Sequence, residues 1–130
     1  MLYSDENLSF YWQEGILMCD WHIEHGSYEF VDYGIKKRLE LTGDKQIVML
    51  SDIRKLKTTT REARQRMAAE DGQIGLLAVG VVMNSKLQAT IFNFFMKINF
   101  PSTIPTKVFS NKEDAILWCK SFIKTEPNGQ

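Results

Sequence analysis

The chain is poor in the residues on which most catalytic and metal chemistry is built. It has two histidines, two cysteines and three prolines among 130 residues. His22 and His25 flank Glu24, but His22-Ile23-Glu24-His25 is not His-Glu-x-x-His, and no cysteine pair completes a set of three or four zinc ligands. The two histidines are expected as strand-end residues, with no metal. Cys19 and Cys119 lie far apart, each inside an apolar segment. Two such cysteines make no secreted disulfide framework and are expected as buried free thiols. No Gly-x-Ser-x-Gly elbow is present, and Gly72-Gln73-Ile74-Gly75 with Gly80 fits neither Gly-x-Gly-x-x-Gly nor a P-loop. Nucleophilic catalysis and nucleotide binding lack support, so the expectation is a protein that is not an enzyme and needs no cofactor.

An excess of one charge is also missing. Sixteen Lys and Arg balance sixteen Asp and Glu, which removes any global attraction to nucleic acid or an anionic membrane. The basic run Arg54, Lys55, Lys57, Arg61, Arg64 and Arg66 contains no aromatic residue on which bases would stack. A solvated helix face, or a docking surface for an acidic partner, is expected instead. The longest apolar stretch, near Ile74 to Met83, is too short to span a bilayer. Met1 to Glu6 has no basic region followed by an apolar run, so no secretory leader is expected. A soluble cytoplasmic protein is the expectation.

With an ordinary globular composition, 130 residues are expected to form one domain, residues 1–130, around one core. Such a chain buries about two thirds of its unfolded surface and needs no staple. Residues 125–130 read as a frayed tail. Leu8–Gln13 and Gly15–Ile23 are rich in strand-forming residues and read as a hairpin turning at Glu14-Gly15. From Ser27 to Thr42, Tyr28, Val31, Ile35 and Leu39 form a helical stripe, with Lys36, Lys37, Arg38 and Glu40 on the other face and Gly43 as the stop. Gly34 within it hints at close packing. Gln46–Ile53 is a strand; Thr59–Asp71 is a helix opened by the capping box Thr59-x-x-Glu62. Ile74–Met83, apolar without alternation, suits a central strand covered on both faces. A helix from Leu87 to Phe100 is capped by Ser85-x-x-Gln88 and ended by Phe100-Pro101; Thr106–Phe109 is a short strand; Ser110-x-x-Glu113 caps a last helix. The order β-β-α-β-α-β-α-β-α predicts an α/β fold: a mixed, mostly parallel sheet with an N-terminal β-hairpin and four helices.

This order resembles the STAS domain (sulfate transporter and anti-sigma factor antagonist) and its small SpoIIAA-like relatives. The specific parts are Ile47-Val48-Met49-Leu50-Ser51-Asp52-Ile53-Arg54 with its Thr-Arg-Glu-Ala-Arg helix, the helix ending Phe92-Asn93-Phe94-Phe95, and Pro105 to Trp118, where Val-Phe precedes a polar turn and Glu-x-Ala-x-x-Trp. The resemblance implies a non-catalytic regulatory or protein-interaction module. Some relatives also resemble CRAL-TRIO lipid-transfer domains, which implies a carrier of a small lipophilic ligand as the alternative. In anti-sigma factor antagonists a serine within Asp-Ser-Ser-Gly after this strand is the phosphorylation switch; here Ser51-Asp52-Ile53-Arg54 stands there, and no serine carries over.

Two candidate regions follow. Ser51, Asp52, Thr58, Thr59, Thr60, Arg61 and Arg64 surround a strand-to-helix junction. Orphan amides at a helix start, with nearby cations, favour phosphate, which makes this a candidate phospho-switch or anion site; simple capping by Thr59 is the plainer reading. Leu87, Ile91, Phe92, Phe94, Phe95 and Ile98 crowd more than one face of their helix. Such a helix is packed in the core or buries its second face against a protein partner, a second copy in a homodimer, or an apolar ligand. Met83 and Met96 would make a ligand pocket adaptable.

Overall fold

In a computed structural model, residues 1–67, 69–99 and 104–123 are described, with residues 70 and 94–99 as backbone alone. The elements are β1 (Tyr3–Ser4), β2 (Leu8–Gln13), β3 (Ile16–Trp21), β4 (His25–Gly26), α1 (Tyr28–Thr42), β5 (Ile47–Asp52), β6 (Thr58–Thr59), α2 (Arg61–Met67), a 3-10 turn (Glu70–Gln73), β7 (Leu76–Val82), α3 (Lys86–Asn99), β8 (Thr106–Phe109) and α4 (Lys112–Lys120). The main sheet has the order β1-β2-β3-β5-β7-β8. β1, β2 and β3 pair antiparallel; β3, β5, β7 and β8 pair parallel. The mixed, mostly parallel sheet expected from the element order is therefore what the chain forms. The end of the Leu87–Phe100 segment and the tail at 125–130 fall outside the described residues.

Local chemistry explains most boundaries. Glu14 and Gly15 have φ of 52° and 81°, the pair of positive values that a type I′ turn needs to join twisted strands. Ser27 caps α1 by accepting from the Phe30 amide, and Gly43 ends it with φ 57°. Ser85 accepts from Gln88 N at 3.2 Å at the start of α3. The cap of α4 is Asn111, which accepts from Asp114 N at 3.0 Å, not the expected Ser110. Asparagine is as strong an N-cap as serine, and Ser110 is the bend that leaves β8.

The two faces of the sheet are packed differently. Strand residues alternate between faces, so Ile16, Met18, Val48, Leu50, Ala78 and Val82 meet Ala115 and Cys119 of α4 on one side. That side is tight: a Cβ on Gly80 would lie 2.8 Å from Cys119 Sγ and 2.9 Å from Leu50 Cδ1, so glycine is what lets α4 approach β7. On the other face, α1, α2 and α3 cover Leu8, Phe10, Leu17, Cys19, Ile47 and Leu76. Here Gly34 is not under close contact, since its Cβ would meet only Leu8 Cδ2 at an ordinary 3.6 Å. β8 is a sheet edge, and Asn93 of α3 covers it: its Nδ2 donates to Val108 O and its Oδ1 accepts from Val108 N, both at 2.8 Å. The side-chain amide thus replaces a missing strand.

α1 is tied to β1 and β2 by a carboxylate. Asp5 accepts from Tyr33 Oη at 2.5 Å, from Tyr3 Oη at 2.8 Å, and from the amides of Asn7 and Leu8. Burial opposes ionisation of Asp5, but these donors outweigh it and hold its pKa at about 2. A depressed carboxylate stabilises the fold above its unfolded pKa of about 4 and loses that contribution as pH falls through the folded value. An Asp5→Ala variant should therefore be less stable than the parent at neutral pH, and the deficit should shrink between pH 4 and pH 2. Denaturant titrations across that range measure it; a deficit constant with pH would contradict the assignment.

Candidate functional site

Between the α1–α2–α3 layer and the sheet lies a cavity of about 460 Å³, within the roughly 300–1,000 Å³ typical of small-molecule sites. Its floor includes Phe10, Cys19, Met49, Val79 and Val81; its roof includes Val31 and Ile35 of α1, Met67 of α2 and Phe92 of α3. It runs from Leu76, the first residue of β7, to Met83, just past its end. At about 3.3 Å per residue that is roughly 20 Å. Trp21 and Phe30, also in the lining, meet edge to face at 4.9 Å between ring centroids. Met49, Met67 and Met83 make the walls deformable. The Cys19 thiol in the floor is pushed up to about 12 by burial, so it is neutral and unreactive at physiological pH.

The charged residues of the described lining are Arg38 and Arg64; no carboxylate is among them. Arg38 was expected on the solvent face of α1, yet it is 1% exposed. It follows Val31 and Ile35 at the i, i+4, i+7 spacing, so it occupies the buried stripe that the more apolar Leu39 also fits. That spacing was the available sequence signal, and polarity hid it. Arg38 Nη2 donates to Gly72 O at 3.3 Å, while Nη1 has no hydrogen-bond partner. Burial lowers the Arg38 pKa from the ordinary guanidinium value, but a guanidinium stays protonated in proteins.

The junction residues are split up rather than gathered. Ser51 lines the cavity, whereas Asp52, its strand neighbour, points to the α4 face. Asp52 accepts from Arg54 Nε at 2.9 Å, Arg54 Nη2 at 2.7 Å and the Arg54 amide, and lies 3.5 Å from Lys112 Nζ. Burial works against its ionisation, yet Arg54 holds its pKa below the usual carboxylate range. Asp52 thereby orients the loop after β5. The three threonines do three separate jobs. Thr58 Oγ1 bonds His25 Nδ1 at 2.7 Å, and Thr59 Oγ1 donates to Gly26 O at 2.9 Å, as β6 pairs in parallel with β4. Thr60 Oγ1 accepts from Ala63 N at 3.0 Å and caps α2. The expected Thr59–Glu62 capping box is displaced because Thr59 is held extended in this small ribbon. The Thr59–Asp71 helix is likewise shorter than expected, α2 ending at Met67 and the 3-10 turn following.

The basic run is dispersed as well. Arg54 pairs with Asp52, Lys57 with Glu24 at 2.8 Å, and Arg66 with Asp32 and Asp71, joining α1, α2 and the 3-10 turn. Arg61 is exposed at the start of α2, and Arg64 turns toward the cavity. On α3, Phe92 lines the cavity, while Leu87 and Ile91 are 69% and 58% exposed. The side chains of Phe94, Phe95, Met96 and Ile98 lie outside the described residues. His22 Nε2 bonds Ser9 Oγ at 2.7 Å. Among the described residues no group of three or more His, Cys, Asp or Glu is placed to hold a metal.

A parallel run of strands with an antiparallel hairpin at one edge and a helix on the far face is a SpoIIAA-like architecture. It is shared with the solved structure of an uncharacterized DUF3478-family protein from Shewanella loihica PV-4, described as having a SpoIIAA-like fold. The two are 16% identical, with a TM-score of 0.62 over 92% of this chain and 98% of that one. At that identity the likeness is one of fold. The chain itself belongs to the family described as Domain of unknown function (DUF7793), whose model matches residues 10–123. No curated protein matches it.

The assignment of the cap is testable. Thr60→Ala should cost about 1 kcal/mol of stability, and Thr60→Asp should restore most of it, measured by urea denaturation. An equal loss in both variants would mean that Thr60 does something other than accept the Ala63 amide.

Proposed function

We propose that this protein is a non-catalytic module that holds a small lipophilic ligand between its sheet and the α1–α2–α3 layer. The observation that carries this reading is the cavity of about 460 Å³ with a predominantly apolar lining. Apolar walls around a space of that size forgo dispersion contacts that a ligand would supply. The sequence resemblance ranked a carrier role second to protein interaction; the cavity moves it first. No helix among the described residues is long and apolar enough to cross a membrane, and a cytoplasmic location fits the two buried free thiols.

A protein-interaction or regulatory role is the second reading, supported by a different observation. Leu87 and Ile91 stand one turn apart on α3 and are both largely exposed. A partner or a second copy would cover them, and ligand occupancy would reach that face through Phe92, which lines the cavity on the same helix.

Native mass spectrometry of protein made in cells should show an added mass of a small amphiphile that is lost on collisional activation. Val81→Phe, which fills the cavity floor, should abolish that mass while changing stability by about 1–3 kcal/mol at most. A parent protein that is clean by mass and takes up no aliphatic alcohol would sink the ligand reading. For the interaction reading, an affinity capture that recovers the same partner with Leu87→Ser/Ile91→Ser as with the parent protein would count against this face.

A further inference from the structure

We propose that the ligand carries a singly charged anionic head, a fatty carboxylate, and that Arg38 pairs with it. This rests on the lipophilic-ligand reading and adds the head-group chemistry. Of the residues in the described lining, the two charged ones are both arginines, and no carboxylate balances them.

Elsewhere the chain pairs its poorly exposed cations. Arg66 has Asp32 and Asp71, Lys37 has Glu40, and Lys112 reaches Asp52. Arg38 is more buried than any of these, has no ion-pair partner among the described residues, and leaves Nη1 without a hydrogen-bond partner. A buried, unpaired guanidinium is among the costlier arrangements a fold can keep, and an unsatisfied buried polar group calls for an explanation. An anion in the cavity that Arg38 lines supplies one once the guanidinium turns toward it, since Nη1 is shielded as the side chain stands. A guanidinium fork matches a carboxylate in shape and charge.

Position and size agree. Arg38 bonds Gly72 O, and Gly72 and Gln73 line the end of the cavity where β7 begins. The head would sit there, and the tail would run along β7 past Val79 and Val81 toward Met83. At roughly 30 Å³ per water-sized group, 460 Å³ takes about fifteen groups, room enough for the roughly twelve heavy atoms of a ten-carbon acid. Arg64, midway along α2, is only half-buried where Arg38 is fully buried, so Arg38 is the anchor.

The test compares decanoate, decanol and decylamine by calorimetry on the delipidated full chain. Decanoate should bind about ten- to a hundredfold more tightly than decanol, with decylamine weakest. Arg38→Met, which keeps the volume and removes the charge, should lose that advantage while still binding decanol, which also reports that it is folded. Arg38→Lys should retain part of it, and Arg64→Met nearly all. Equal affinity of the parent protein for decanoate and decanol overturns the head-group inference and leaves the lipophilic reading standing. Failure to bind either one defeats both. An anion preference that survives Arg38→Met but vanishes in Arg64→Met overturns the assignment to Arg38.

Discussion

The direction in which the parallel strands are laid down governs everything else in this molecule. β3, β5, β7 and β8 follow one another across the sheet without reversal. Right-handed crossovers between strands added always on the same side place their connecting helices on one face. α1, α2 and α3 are therefore confined together, and α4, after the last strand, is left to cover the other face. The α4 face closes tightly because Gly80 admits Cys119 against β7. α1 and α2, tied to each other, and α3, tied to the β8 edge, do not close onto their face in the same way, and the space beneath them is the cavity.

Polar contacts tie the helical layer together and to the sheet alongside the apolar ones. Arg66 bridges Asp32 of α1 and Asp71 of the 3-10 turn, and both carboxylates are held below their usual range by their cationic partners, Asp32 by Lys36 as well as Arg66. Asp5 anchors α1 through Tyr33, and Asn93 anchors α3 through the backbone of Val108. The cavity lining is mainly apolar, and within it the buried Arg38 bonds a single carbonyl.

The same arrangement explains why a fold shared with anti-sigma factor antagonists need not bring their switch. At the junction after β5 the hydroxyls of Thr58, Thr59 and Thr60 each have a partner, and α2 is only seven residues long. A short helix whose start is already capped offers less to a phosphate than a long one with free amides. Fold and function separate at such points, because function belongs to the groups a site leaves unsatisfied rather than to the topology.

Turn residues and periodicity by themselves determined the order of the longer elements, a hairpin turning at Glu14-Gly15, the stop at Gly43, the α/β class and the central position of β7. These depend on turn chemistry and on which residues repeat every two or every three to four positions, and both are local properties. The sequence did not reveal β1, too short to show an alternation, nor β4 and β6, two-residue strands that exist only because loops far apart in the chain meet. The pairing of β4 with β6 moved the α2 cap from Thr59 to Thr60. Nor could it show that Ser51 and Asp52 serve opposite faces, or that Arg38 turns inward. An arginine on a helix reads as solvent-facing from composition; its burial is decided by how far α1 stands from the sheet, and that distance is set by the packing of the whole helical layer.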